Sequence, residues 1–400
     1  MNRVLRSGGM LLLILLSIGL LSPKPAIAQE KNFDELAHRI ITTSANVKPG
    51  EVVVISGGKH TIPLMEALAI ESMKAGGMVT MFLSSDKVSR YFMADLQEKY
   101  LEQEPRFFAE WVKQVDVWIS LPDVSDIKAL DVGVPASRLA KIDKTNQFIV
   151  GMLDGMKFRQ VNLIYPTDER AKAFGLDGAT YVNMIWEAIG ADYKQIADSG
   201  EKLKKTLEGT KTVRVISPSG TDISFRTGNR PIFLDDGVIS ADKAKSKRFI
   251  DRQAGLPAGS LTLAPMEDSA TGKVVVPRAD CRFEPMTDVS FVFNKGKMED
   301  FKAAQGGNCF QQLISESSGA TNQIGSFSIG LNPAWKVHEE NGAHYYTGAG
   351  LGVVFVGIGD NELLAGKNRA QGTFGFGFPI VGATVEVDGE VVVKDGKLVN

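Results

Sequence analysis

A strand–helix–strand unit near the start of the chain limits the fold more than any other feature. Val52-Val53-Val54-Ile55 is a β-branched run ending in Gly57-Gly58, the pattern of a buried strand. Thr61 to Lys74 returns to helical spacing until Gly76-Gly77 stops it, and Met78 to Leu83 reads as a second strand. Strands joined through a helix run parallel, so the spacing predicts a parallel sheet. Val115 to Leu121 and Val161 to Tyr165 repeat the strand signal. Helical spacing recurs over Phe33–Ala45, Arg90–Leu101, Thr180–Ile189 and Tyr193–Leu207.

The texture changes near Thr210. Val213 to Ser217 and Thr221 to Arg226 alternate around Pro218-Ser219-Gly220, a hairpin signal. Beyond it Gly, Thr and Val dominate, and Lys302 to Ser318 is the best remaining helix. Val385 to Val387 and Val391 to Val393 flank Asp388-Gly389, a second hairpin. The expected fold class is α/β: a Rossmann-like N-terminal domain plus a mostly β C-terminal domain with one or two helices. The expected divisions are 1–28, 29–210 and 211–400. Lys243–Arg248 is the one charge run, read as a solvated helix or loop.

The first stretch reads as a secretory signal. Arg3 and Arg6 precede the apolar run Met10–Leu21, and Ala26-Ile27-Ala28 supplies an A-x-A site. A retained membrane anchor is the weaker reading, because the run falls well short of the ~20 residues that span a bilayer. Export to the periplasm or the medium, with cleavage near Ala28, is therefore expected. Contact with a membrane is expected only through this signal during export. Lys plus Arg total 45 against 47 Asp plus Glu, which excludes a polybasic nucleic-acid binder. In an oxidising compartment Cys281 and Cys309 can form a disulfide, and two separate buried thiols are the open alternative.

Several motifs are excluded. Ser56-Gly57-Gly58-Lys59-His60-Thr61 sits between a strand and a helix, where phosphates often bind. It is not a Walker loop, because His60 follows Lys59 and the spacer is wrong. Gly348, Gly350 and Gly352 do not make a dinucleotide fingerprint, and no Gly-x-Ser-x-Gly elbow occurs.

From Ala254 onward short stretches follow one another in a recognisable order. Leu256-Pro257-Ala258-Gly259 and Ala264-Pro265 come first, then Glu267-Asp268-Ser269 and Gly272. Gly325 to Asn332 reads GSFSIGLN, His344 follows, and Asp388-Gly389-Glu390 leads to Lys394-Asp395-Gly396. Upstream, Val47-Lys48-Pro49-Gly50-Glu51 and Gly220-Thr221-Asp222-Ile223 fit the same pattern. The chain resembles the metallo-aminopeptidases of the aminopeptidase T and aminopeptidase S type. The stretches look like that family's Pro-Ala-Gly-Glu, Gly-Glu-Phe-x-x-Gly-x-Asn, Ile-His-Ile-x-x-Gly and closing hairpin.

The resemblance implies a dimer with two divalent metals (zinc, cobalt or manganese) that activate a water against the first peptide bond. The family sets two glutamates, two histidines, an aspartate and a tyrosine around them. Here Ser260 and Ser326 stand for the glutamates, His344 for the first histidine and Leu351 for the tyrosine. Phe374-Gly375-Phe376 stands for the His-x-Asp pair. A serine hydroxyl is a weak ligand and a phenyl ring is none.

Two readings follow. In the first, an exported aminopeptidase-like hydrolase keeps a reduced site in which His344 and His338 hold a metal and Glu267 or Glu340 helps. In the second, metal is absent and a small molecule or a partner binds where Ser260, Ser326, Thr373, Phe374 and Phe376 line the old site. An iron dioxygenase that opens dihydroxypyridine rings shares the fold superfamily, but its chemistry also needs the His-x-Asp pair.

Overall fold

A computed structural model describes residues 32–103, 105–135, 138, 139, 141, 142, 155–370 and 374–399. The signal-like stretch and Thr373 lie outside the described residues. The β-branched run becomes β1 (Val52–Gly58), parallel to β2 (Met78–Ser84) with Val52 opposite Met78. β3 (Val117–Ser120) and β4 (Arg159–Leu163) extend this first sheet, also in parallel. The helix Ile62–Lys74 buries Leu64, Met65 and Leu68 against it. Proline in its first turn costs no hydrogen bond that the helix would otherwise make. Val54, Val112, Val115, Phe158 and Phe249 form a smaller cluster of their own.

The helix Tyr193–Leu207 follows its periodicity to the residue, capped by Asp192 on the backbone N–H of Lys194 and Gln195. The next two strands, β5 (Thr212–Ile216) and β6 (Asp222–Arg226), form the expected hairpin.

β7 (Ile232–Asp235) then leads to β8 (Gln253–Leu256). β8 lies parallel to β4 and closes the first sheet in the order β2-β1-β3-β4-β8. Leu256, which the sequence offers only as the start of a motif, is thus the end of a strand. β9 (Ser260–Leu263) starts immediately after the Pro-Ala-Gly turn. Gly259 makes that turn with φ +119°, and a Cβ there would sit 2.8 Å from the backbone nitrogen of Asn332.

The remaining strands complete two antiparallel sheets. They are β10 (Thr271–Cys281), β11 (Glu284–Asn294), β12 (Lys297–Lys302), β13 (Ile324–Gly330), β14 (Val354–Gly359), β15 (Gly375–Ile380), β16 (Thr384–Val387), β17 (Glu390–Lys394) and β18 (Lys397–Leu398). The second sheet runs β12-β11-β10-β6-β5-β16-β17-β18, and the third β15-β14-β13-β9-β7. Phe225 of β6 meets Phe327 of β13 at 5.1 Å, and Phe291 of β11 meets Phe378 of β15 at 4.7 Å, so these two sheets share a core. The late helix starts at Gly307, because Lys302 and the residues before it belong to β12. Cys281 and Cys309 are joined as a disulfide.

Candidate functional site

The outward face of the third sheet is built by alternation. On β9 Ser260 and Thr262 alternate with buried Leu261 and Leu263; on β13 Ser326 and Ser328 alternate with buried Phe327 and Ile329. Thr262 pairs with Ser328 across the strands, so all four hydroxyls share one face. Ser260 pairs with Gly330, which places Ser326 four positions along β13, roughly 13 Å away at the strand rise. Side chains as short as serine do not converge across that span.

Next to Ser260 the sheet opens into a cleft of about 390 Å³. Ser260 and Thr262 form one wall, with Phe233 and Asp235 of β7, Lys204 of the helix Tyr193–Leu207, and Arg248. Asp235 holds the turn that follows it, accepting from the backbone N–H of Gly237 at 3.2 Å and of Gly255 at 2.9 Å. Burial pushes its carboxyl up to about 6, against the pull of those N–H groups and of Lys243.

The charge run is a short helix and a loop with Lys245, Lys247 and Arg248 exposed, as expected, and two of its cations have partners. Lys243 donates to Asp236 at 2.6 Å and to the carbonyls of Leu234 and Val238. Arg248 lies over the Phe233 ring at 4.7 Å and bonds Asp251 through Nε and Nη2.

The histidines do not assemble. His338 pairs with Tyr345 through two backbone hydrogen bonds, and His344 is the residue before that partner. Among the described residues no carboxylate is grouped with the two to complete the expected site. His344 is buried against Phe174, whose carbonyl accepts its backbone N–H, and its Nε2 lies 3.6 Å from Asp280. Neither the His344 Nε2 nor the facing Asp280 oxygen has a hydrogen-bond partner. Burial raises the Asp280 carboxyl to about 7.

The expected helpers are elsewhere. Glu267 is tied to Arg230, to the backbone N–H of Lys367 at 2.6 Å and to Asn361 at 3.3 Å. Burial would raise its carboxyl, yet Arg230 and the Lys367 N–H outweigh that and hold it down at about 2. A carboxylate so strongly held is a structural anchor, not a base. Glu340 is exposed in a turn.

The aromatic residues of the expected wall are half-buried. Phe376 packs on Phe310 at 4.7 Å and Phe378 at 5.0 Å, and Phe374 packs against the same core. Between them Gly375 and Gly377 are exposed.

Residues 29–338 match the family described as thermophilic metalloprotease (M29). The chain belongs to the M29 family. Two solved structures have similar folds. Wild-type AmpT from Thermus thermophilus shares 14% identity at a TM-score of 0.71, over 92% of this chain and 99% of that one. The 2,5-dihydroxypyridine dioxygenase from Pseudomonas putida KT2440 shares 14% at 0.59, over 92% and 96%. No curated protein is significantly similar in sequence.

Membership implies peptide substrates and metal dependence, so the M29 chain's own donors can be tested against two metals. They do not fit. β14 reads Val354-Phe355-Val356-Gly357-Ile358-Gly359, the spacing of Ile-His-Ile-x-x-Gly, beside the strand that carries Ser326. Phe355 lies opposite Ser328 on this strand, so that spacing sets a phenyl ring, which is no ligand, beside the serines. Among the described residues no three His, Cys, Asp or Glu side chains are grouped to hold a metal ion.

Proposed function

We propose that this M29 chain binds a peptide or a small molecule in the cleft beside Ser260 and does not run the two-metal hydrolysis of its family. The observation that carries the reading is the chemistry of one sheet face. Ser260 and Ser326 occupy positions where the resemblance places carboxylates, and neither supplies a strong ligand. The family match also ends at residue 338, before β14 and β15, where the other donors belong. The Ser260 and Thr262 hydroxyls have no partner among the described residues and remain available to a ligand.

Export belongs to the same proposal. A basic start, the run Met10–Leu21 and the Ala28 site support it, as does a disulfide between Cys281 and Cys309. A homodimer is carried over from the family.

The test is metal content by plasma spectrometry together with hydrolysis of leucyl-p-nitroanilide in added Co²⁺ or Mn²⁺. The expected results are substoichiometric metal and no turnover above blank. About two ions per chain with turnover would overturn the proposal.

A further inference from the structure

The cleft beside Ser260 offers both signs of charge, and most of its groups already have partners. Lys243 is consumed by Asp236 and two carbonyls. Arg248 spends Nε and Nη2 on Asp251, which leaves Nη1. Lys204 has only a loose 3.8 Å approach from exposed Glu201. On the other side, each Asp235 oxygen accepts one backbone N–H and keeps a free lone pair. What remains is the Asp235 carboxylate, the Lys204 ammonium with the Glu201 carboxylate at the rim beside it, one guanidinium edge, the Asn162 amide and the hydroxyls of Ser260 and Thr262. Apolar Ile232 and Ile250 complete the lining.

A simple anion or a simple cation would satisfy one side and desolvate the other without compensation. A volume of about 390 Å³ is near the lower end of small-ligand sites. We infer that the cleft takes a compact zwitterion, a free amino acid with an apolar side chain. Its ammonium group meets Asp235, its carboxylate meets Lys204 and Arg248 Nη1, and its side chain lies on Ile232 and Ile250. The inference rests on the proposed reading of the chain as a binder and names the ligand of that site.

Titration calorimetry on the EDTA-treated full-length mature protein tests it, with L-leucine, leucinamide and N-acetyl-leucine as probes. Leucine is expected to bind, with either blocked analogue about tenfold weaker or more. Lys204→Met is expected to weaken leucine about fivefold or more and leave leucinamide unchanged. Asp235→Asn is expected to abolish leucine binding. Its loss of a turn anchor makes Lys204→Met, a change at the cleft rim, the safer variant. Absence of leucine binding, equal binding of an analogue, or an indifferent Lys204→Met overturns the inference. Binding that requires added metal also overturns it. Hydrolysis with Co²⁺ would sink the proposed function yet leave EDTA-resistant leucine binding intact, so the two failures are distinguishable.

Discussion

Asn332 reaches from the end of β13 to the carbonyl oxygen of Ala258, with Nδ2 2.6 Å from it. The same amide donates to the carbonyl of Ala188 at 3.0 Å. One buried side chain therefore ties together the Pro-Ala-Gly turn, the GSFSIGLN strand and the helix Gly178–Ile189. Two motif stretches far apart in sequence meet through their scaffold residues, while the positions between them that would hold metal have changed. Asn332→Leu leaves the Ala258 carbonyl unpaired, while Ala188 keeps its backbone donors, and is expected to cost about 1–3 kcal/mol, read as a lower urea midpoint with an unchanged slope.

The Arg230–Glu267 pair gives an acid-sensitive contribution. Glu267 is held at about 2, below its ordinary value, so its stabilisation is full above the usual carboxylate range. It is lost as pH falls from about 4.5 toward 2. Glu267→Gln is expected to cost about 2 kcal/mol at pH 7, a penalty that shrinks toward pH 2. Denaturant titrations at the two ends of that range measure it.

Asp280 has the opposite sign. Its carboxyl is raised to about 7, so the folded protein holds that proton more tightly than the unfolded chain. Stability is therefore lost as pH rises from about 4 through 7. Asp280→Asn is expected to stabilise by about 2 kcal/mol at pH 8 and to do little at pH 4. A melting-temperature series across that window checks it, and a gain of equal size at both ends would reject the assignment.

Cys281 and Cys309 are 28 positions apart, so their bond closes a loop of moderate length. Chain entropy predicts a contribution of about 3–4 kcal/mol. The paired substitution to serine is expected to lower the denaturant midpoint by that much. Dithiothreitol should do the same to the wild-type protein and nothing to the variant.

The parts of the fold that depend on local period were readable from the residues. Val52–Ile55, Met78–Leu83 and Tyr193–Leu207 all lie where alternation, burial runs and helical spacing place them. What depends on partners was not. Gln253–Leu256 is too short to announce a strand, and only its pairing with β4 makes it one. Phe376 reads equally as pocket wall or core, and the choice is made by Phe310, more than sixty residues away. His344 lies outside the strands, and its burial against Phe174 and Asp280 comes from residues far from it in sequence. Asp235, the central acceptor of the cleft, carries no signature, because its importance comes from the backbone turn around it.

β8 has a practical consequence for anyone who wants half of this molecule. A piece cut near Thr210 would expose one side of Arg159–Leu163, whose lateral neighbour is supplied from the far side of the cut. Such a fragment should stick to itself through that raw margin. Moving the cut past Leu256 only shifts the margin, because β5, β6 and β7 then lose β16, β10 and β9.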